Sequence, residues 1–241
     1  MSGRAVTSRV GDDDTLRIEW PEPTGGSDAE IVLRHVETGE ECGATDLTVL
    51  SAGVWMASRD GEPIVTDDPG FSLDGLWSYA ETRRNREIRA FRTSHGTLGL
   101  QVREVEPYVE VIRVTAEDGV IEVEGAIAYG EPIRGAARLV AVARRGPEPV
   151  SGPASFQGRW FEGGVEIAPM AEGQVRRRVF WDLYAEISGM RLPLATRLDD
   201  ITDKKTKVRF PAQRVGQVRV RPYYTETDSL AVALSIEEAS S

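Results

Sequence analysis

Three residues near the start of the chain have the types and spacing of zinc chemistry. His35, Glu37 and Cys42 form a His-x-Glu segment followed by a cysteine, and imidazole and thiolate groups are zinc ligands. The matching Pro-Cys-x-x-Cys segment is absent, since Cys42 is the only cysteine of the sequence. We therefore predict no metal site, and we place His35 on the exposed or half-exposed side of a strand.

A nucleophilic hydrolase would need His35 or His95 as its base, because these are the two histidines of the sequence. His95 lies in Ser94-His95-Gly96, whose composition is that of a turn. The sequence contains no G-x-S-x-G elbow, no P-loop and no G-x-G-x-x-G segment. We therefore expect no catalytic set with a known motif and no cofactor.

Two acidic clusters could in principle hold a cation. Asp12–Asp14 and the group Asp199, Asp200 and Asp203 both lack the alternating ligands and closing glutamate of a calcium loop. We predict that the first cluster is part of a solubilising tail. The second is expected to pair locally with Lys204, Lys205 and Lys207, which are the three lysines of the chain.

Aromatic residues are the remaining candidates for ligand binding, because flat rings stack on sugars and anchor protein interfaces. Phe180 and Trp181 are neighbours in a predicted strand, as are Tyr223 and Tyr224, so one ring of each pair should face outward. The sequence-based candidates for a ligand site are Tyr108, Tyr129, Trp160, Trp181 and Tyr224.

These residues are carried by a chain that alternates apolar and polar residues along short segments, with turn signals about every 8–12 residues. Hairpins are predicted across 94–96, 117–119 and 162–164, and a strand is predicted over 46–52. Residues 67–85 are the least periodic stretch and are predicted to be a long loop or irregular strand, with solvated arginines at 83–86.

Two segments of the chain share one pattern of apolar, aromatic and turn residues. Ile88–Val102 reads IRAFRTSHGTLGLQV and Val220–Leu234 reads VRPYYTETDSLAVAL, which align on Leu98 and Leu230. A weaker echo relates 46–53 to 182–189. Repetition of this kind predicts two tandem domains. We predict an all-β chain of two immunoglobulin-like sandwiches over 1–105 and 106–241, with 1–13 disordered.

Each sandwich must bury one face of each strand, which selects two sets of inward residues. In the first domain the inward set is Leu16, Ile18, Ile31, Leu33, Leu47, Val49, Ile88, Leu98, Leu100 and Val102. In the second domain it is Val111, Ile121, Val123, Leu139, Phe180, Leu183, Ala185, Val218, Val220, Leu230 and Val232.

The formal net charge of −10 argues against nucleic acid or an anionic membrane surface as the main partner. No apolar run approaches the roughly 20 residues that span a bilayer, and the first residues have no hydrophobic leader. The lone cysteine suits a reducing compartment. We therefore expect a cytoplasmic protein without a membrane span.

Two short segments resemble a known group of domains. Arg221–Thr225 (RPYYT), followed by a polar turn and Leu230-Ala231-Val232, resembles a segment of the β-rich accessory domains of bacterial cell-surface glycosyltransferases and CDP-glycerol glycerophosphotransferases. Phe180–Leu183 is similar to the W-D-L strand of those domains. The resemblance implies immunoglobulin-like accessory domains that place or oligomerise a catalytic unit, and no catalytic residue is carried over.

Three functions remain open on the sequence. The leading hypothesis is a non-catalytic interaction or carbohydrate-associated accessory protein, which partners a separately encoded enzyme. The second is an enzyme with a motif-less active site between the two sandwiches, which would cyclise or isomerise a small molecule. The third is a structural subunit of a larger assembly. The partner is predicted to be a protein, a glycan or a small molecule, and the oligomeric state is left open.

Overall fold

Pairing between extended segments dominates the computed structural model, which describes residues 4–21, 30–173 and 178–236. Strands account for 56% of the residues and helices for 9%, which confirms the prediction of an all-β chain. The chain divides into two units, residues 1–106 and 107–241, each with its own apolar core.

The first unit is built on a sheet with the strand order β5-β4-β6-β10-β9, to which β7 adds by pairing with β6. Strands β2 and β3 form a hairpin, and β1 pairs in parallel with β8. The elements of this unit are β1 (Arg4–Ala5), β2 (Thr7–Val10), β3 (Leu16–Glu19), β4 (Ile31–His35), β5 (Glu41–Gly43), a 3-10 helix (Leu47–Val49), β6 (Gly53–Arg59), β7 (Glu62–Pro63), β8 (Val65–Thr66), α1 (Leu73–Ala80), β9 (Arg86–Arg92) and β10 (Leu98–Glu104).

The prediction that residues 1–13 are disordered is wrong from Arg4 onward, while 1–3 lie outside the described residues. Strands β1 and β2 occupy this segment, and Ala5 and Ser8 are buried. The buried carboxylate of Asp68 accepts hydrogen bonds from the Ser8 amide and from Arg9 Nε, both at 3.0 Å. A contact 60 residues away in sequence therefore orders the segment, and local composition does not record it.

The acidic triplet at 12–14 is likewise part of the structure, contrary to the prediction of a tail. Asp14 accepts hydrogen bonds from the Tyr79 hydroxyl and from Arg84 Nη1, both at 2.5 Å. The Arg84 side chain is only 8% exposed and lies over the Tyr79 ring, so this arginine is not solvated as the sequence predicted.

Residues 67–85, predicted to be irregular, contain α1. Ser72 begins this helix, because its hydroxyl accepts a hydrogen bond from the Gly75 amide at 3.1 Å, as N-capping serines do. The helix has eight residues and buries Leu76, Tyr79 and Ala80. Two turns of helix are too short for their apolar periodicity to stand out in a sequence.

The predicted strand over 46–52 is instead a 3-10 turn, capped by Asp46, whose carboxylate accepts from the Thr48 amide at 2.9 Å. Val49, assigned to the core, is therefore 62% exposed. The predicted similarity between this segment and 182–189 is wrong, because residues 182–187 belong to a strand. His35, predicted to be at least half-exposed, is buried: Nδ1 accepts from the amides of Glu37 and Thr38, and Nε2 faces the Ala52 carbonyl.

The second unit contains a closed barrel of seven strands with the ring order β13-β14-β15-β12-β11-β17-β16. Strands β20, β19 and β18 extend outward from β16 in that order. Its elements are β11 (Tyr108–Glu117), β12 (Val120–Ala128), β13 (Ile133–Ala143), β14 (Val150–Gly158), β15 (Trp160–Glu166), α2 (Ala168–Ala171), β16 (Arg178–Ile187), β17 (Met190–Ala195), α3 (Lys204–Lys207), β18 (Gln213–Val215), β19 (Val218–Tyr224) and β20 (Leu230–Ile236).

The pairing of β13 with β16 closes this ring, so the second unit is not two separate facing sheets, and the immunoglobulin-like arrangement is not confirmed. The hairpins across 94–96 and 117–119 are confirmed. The hairpin across 162–164 is wrong, because Gly163 and Gly164 lie inside β15, and β14 meets β15 at Gly158-Arg159. In the core, Phe180 was assigned inward, but Trp181 takes that place at 0% exposure.

Gly152 in β14 provides a test of how closely the barrel strands approach. A Cβ atom on Gly152 would collide with the carbonyl oxygen of Gly164, which is backbone and cannot rotate away. We expect Gly152→Ala to lower the free energy of unfolding by up to about 3 kcal/mol, measured by urea denaturation. Gly164→Ala is the matched control, because its Cβ would meet Val120 at an ordinary 3.4 Å. Equal losses in both variants would contradict the close approach.

Candidate ligand groove

Strands β16, β20 and β19 form a sheet whose outer face contains small residues on the middle strand, β20. Strand β20 lies between β16 and β19, and its inward residues Leu230, Val232 and Leu234 are buried in the core. Alternation turns Ala233 and Ser235 to the opposite face. Because these side chains are small, they form the floor of a groove between the two flanking strands.

The flanking strands supply long side chains, which form the walls. Strand β16 contributes Arg178 and Phe180, which lie beside Ser235 and Ala233 in register. Strand β19 contributes Arg219 and Arg221, which lie beside the same two residues from the other side. Each floor residue is thus flanked by one side chain from each wall, and three of these four side chains are arginines.

The groove has a volume of about 740 Å³, within the size range of ligand sites. Besides the walls and floor it is lined by Arg144, Lys205, Thr206, Arg209, Tyr223, Thr225, Glu226 and Thr227. A second hollow of about 270 Å³ shares Arg144, Thr225 and Thr227 with it and reaches Tyr184 and Pro193. From Arg178 to Tyr184 along β16 the two together follow roughly 20 Å of strand.

Positive charge predominates in the groove, although the whole chain carries −10. Arg144 pairs with Asp182, with its Nη2 2.7 Å from Oδ1, and this hydrogen bond raises the pKa of the guanidinium. Lys205 Nζ lies 2.8 Å from Glu226, and that contact lowers the pKa of the glutamate.

Four further arginines have no carboxylate within 4.0 Å among the residues that the structure describes. They are Arg178, Arg209, Arg219 and Arg221. The groove therefore keeps about four positive charges that its own acidic side chains do not neutralise.

Aromatic rings fix the positions of the cations. The Phe180 ring has the guanidinium carbons of Arg144 and Arg178 at 5.6 and 6.0 Å from its centroid, within cation–π range. The Tyr223 ring packs edge-on against Phe180, with centroids 5.9 Å apart, and burial raises the pKa of its hydroxyl. Two of the groove arginines, Arg144 and Arg178, are thus placed beside the Phe180 ring.

The five aromatic residues proposed from the sequence do not line this groove. Tyr108, Tyr129, Trp181 and Tyr224 are buried, whereas Trp160 is 41% exposed on β15. Tyr108 and Tyr129 lie together with ring centroids 6.1 Å apart, and Tyr224 accepts a hydrogen bond from Thr196 Oγ1 at 3.0 Å. Their assignment as ligand-binding residues stays a prediction.

Two aromatic residues of the groove, Phe180 and Tyr223, were not among the sequence-based candidates, although each is the neighbour of one. Phe180 precedes Trp181 and Tyr223 precedes Tyr224, so strict alternation along β16 and β19 would have identified them once the inward residue was known. The arginines had no such signal, because scattered arginines occur throughout the sequence.

A second unusual group in this unit is the buried carboxylate of Glu110. Burial raises the pKa of Glu110, as for a candidate acid or base. However, its oxygens accept hydrogen bonds from the Arg197 amide at 2.8 Å, the Leu198 amide at 3.2 Å and the Tyr108 hydroxyl at 2.8 Å. It lines neither hollow of the groove, so its partners give it a structural role.

Within the described ranges, no group of three or more His, Cys, Asp or Glu side chains is arranged to hold a metal ion. The helices of those ranges are all too short to cross a membrane.

We compared the chain with known proteins and structures. No family model and no curated protein matches it. A crystal structure of the fragment 217–571 of S. aureus TarS matches at 10% identity with a TM-score of 0.40, covering 68% of this chain and 50% of that one. A crystal structure of S. aureus TarS matches at 10% identity and a TM-score of 0.40, covering 67% and 31%.

The chain thus spans half or less of the length of these two solved structures. Both comparisons describe a weak likeness in fold over two thirds of this chain. The weak resemblance that the sequence indicated is thus confirmed only as a weak structural likeness to S. aureus TarS.

Proposed function

We propose that this chain is a non-catalytic binding module associated with carbohydrate, and that the groove on β16, β20 and β19 is its site. One observation carries the proposal: an open groove is rich in hydrogen-bond donors, yet both carboxylates that line its two hollows are ion-paired. Asp182 pairs with Arg144 and Glu226 pairs with Lys205. The groove thus offers hydroxyl and guanidinium donors for binding, and no general base that is not already ion-paired.

We also propose that the two units are copies of one immunoglobulin-like unit. The two terminal hairpins support this, because they turn in the same way. The Thr93 amide donates to the Thr97 carbonyl and the Thr225 amide to the Ser229 carbonyl, both at 2.9 Å. In each hairpin the first threonine hydroxyl accepts from the amide four residues later, at 3.1 Å.

Matching residues outside the hairpins support the same proposal. The Thr66 amide donates to the Gly96 carbonyl, and the Thr196 amide to the Asp228 carbonyl, both at 2.9 Å. Each threonine follows a Pro-x-x segment in the sequence. In the second unit, the additional hairpin β14–β15 joins β13 to β12 and so closes what would otherwise be two sheet edges.

We also propose that the protein has a separately encoded enzyme as its partner and that it is cytoplasmic. A purely structural subunit is the less favoured function, because a structural role alone does not account for groove arginines that have no carboxylate partner within the described ranges.

The proposed function is tested by binding of the full chain to a glycan array, followed by mass spectrometry of each bound glycan. We expect at least one glycan to bind without being converted, and Tyr223→Ala to weaken that binding at least tenfold. Trp160→Ala is the matched control, because Trp160 is an exposed aromatic residue on β15 outside the groove, and it should leave binding within twofold. Absence of any bound glycan, an equal loss in both variants or a converted glycan would contradict the proposal.

A further inference from the structure

We propose that the groove selects an acidic polysaccharide, whose carboxylate or phosphate groups meet the unneutralised arginines. This inference rests on the proposed function and specifies the class of ligand. Guanidinium groups bind carboxylates and phosphates through paired hydrogen bonds, which a neutral glycan cannot supply.

The terminal hairpin of the first unit has a carboxylate on the same sheet face. Glu87 of β9 lies opposite Arg103 of β10 and is 1% exposed. It accepts a hydrogen bond from Arg103 Nε and another from Arg89 Nε at 2.8 Å. This acid therefore offsets one of the two arginine charges, and the three side chains together carry a formal charge of +1.

The second unit has an arginine where the first has that acid. Counting back from the turn, Arg219 of β19 occupies the hairpin position of Glu87, and Arg221 occupies that of Arg89. Ser235 lies opposite Arg219 as Arg103 lies opposite Glu87. The formal charge of these three aligned positions thus rises from +1 to +2, and their only carboxylate is replaced by an arginine. Like charges at such spacing repel each other, and a bound anion relieves that repulsion.

The spacing of the cations favours a polymer with repeated charges. Arg219 and Arg221 lie two residues apart on β19, so their Cα atoms are separated by roughly 7 Å. Arg178 faces Arg219 across Ser235, and Lys205 and Arg209 extend the positive lining from the segment at α3. The second hollow adjoins this lining through Arg144, Thr225 and Thr227, so an extended chain of several sugar units can lie along both.

The aromatic residues argue against a nucleic-acid ligand. Single strands bind proteins largely by stacking bases on open aromatic faces. The guanidinium carbons of Arg144 and Arg178 lie 5.6 and 6.0 Å from the centroid of the Phe180 ring, and the Tyr223 ring packs against the same ring, so Phe180 already contacts three side chains. The hydroxyls of Thr225, Thr227 and Ser235 instead suit the hydroxyl groups of sugars.

The test compares glycans that differ only in charge, using the full chain and isothermal titration calorimetry. The pairs are polygalacturonate with its fully methyl-esterified form, and phosphomannan with its dephosphorylated form. We expect the charged member of at least one pair to bind at least tenfold more tightly, and the pair that responds identifies carboxylate or phosphate as the recognised group. Its affinity should fall at least tenfold between 50 and 200 mM salt, since ionic contacts are screened.

The variant Arg219→Glu restores the residue of the first unit at this position and should weaken binding of the acidic glycan at least tenfold. Arg134→Glu makes the same change at an exposed site on β13 outside the groove, and should leave binding within twofold. Equal binding of charged and neutral glycans would overturn this inference while leaving the proposed function in place. Failure of every glycan would overturn both, and tighter binding of oligothymidylate at equal charge would assign the groove to nucleic acid instead.

Discussion

Replacing Glu110 with alanine is expected to lower the free energy of unfolding by about 4 kcal/mol. The change would leave the amides of Arg197 and Leu198 and the hydroxyl of Tyr108 without their acceptor in a buried place. Each unsatisfied buried donor costs about 1–3 kcal/mol. Urea denaturation at pH 7 measures the loss, and a loss below about 1 kcal/mol would show that water replaces the carboxylate.

Glu110→Gln is the matched variant and should cost far less. Its amide oxygen can accept from both backbone amides, and its amide nitrogen can donate to the Tyr108 hydroxyl, which rotates to accept. Because burial raises the pKa of Glu110, the folded protein holds this proton at a higher pH than the unfolded chain does. The stability from this group is fully present below the unfolded pKa of about 4.3 and is lost as the pH rises through the folded pKa. Glu110→Gln should remove that decline, and an unchanged pH dependence would contradict the assignment.

Lys204→Met is expected to lower the free energy of unfolding by about 3 kcal/mol, because it leaves the buried Thr196 carbonyl oxygen without its charged donor and removes the cation from two partly exposed carboxylates. Lys204 is 3% exposed, and its Nζ lies 2.9 Å from Asp199, 3.7 Å from Asp228 and 2.9 Å from the Thr196 carbonyl oxygen. The residue anchors α3, which presents Lys205 to the groove, so ligand affinity should fall as well.

Lys207→Met is the control for this prediction. Lys207 lies on the same short helix but is exposed, and its Nζ donates to Thr202 Oγ1 at 3.0 Å. Exposed substitutions of this kind usually change stability by less than about 0.5 kcal/mol. Urea denaturation of both variants therefore separates the buried anchor from a general effect of removing a lysine, and equal losses would contradict the role of Lys204.

Two of the three predicted hairpins, across 94–96 and 117–119, were correct. Asp118-Gly119 joins β11 to β12, and the aligned Leu98 and Leu230 both begin strands with buried first residues. Such elements depend on turn residues and on alternation within a few positions, so a short window of sequence contains the information. Alternation within strands also identified most of the residues predicted to face inward. Val49 and Phe180 are exceptions.

The closed ring and the groove could not be predicted in this way. The ring depends on pairing between Leu139 and Ala185, and such long-range pairing leaves no local pattern. The groove depends on Arg178 and Arg219, which are 41 positions apart and lie on either side of Ser235. Only the order of the strands brings these residues together, so their charges looked scattered along the chain.

The odd number of strands in the ring determines how the strands β11 and β17 pair. In a closed ring, neighbours can run in opposite directions throughout only if their number is even, and seven is odd. The number of parallel pairs must therefore be odd, and here it is one: β11 pairs with β17 in parallel at two positions, Val109 with Leu194 and Glu110 with Ala195. The mismatch is thus confined to a single seam, where the Glu110 carboxylate accepts hydrogen bonds from the amides of Arg197 and Leu198, beyond the end of β17.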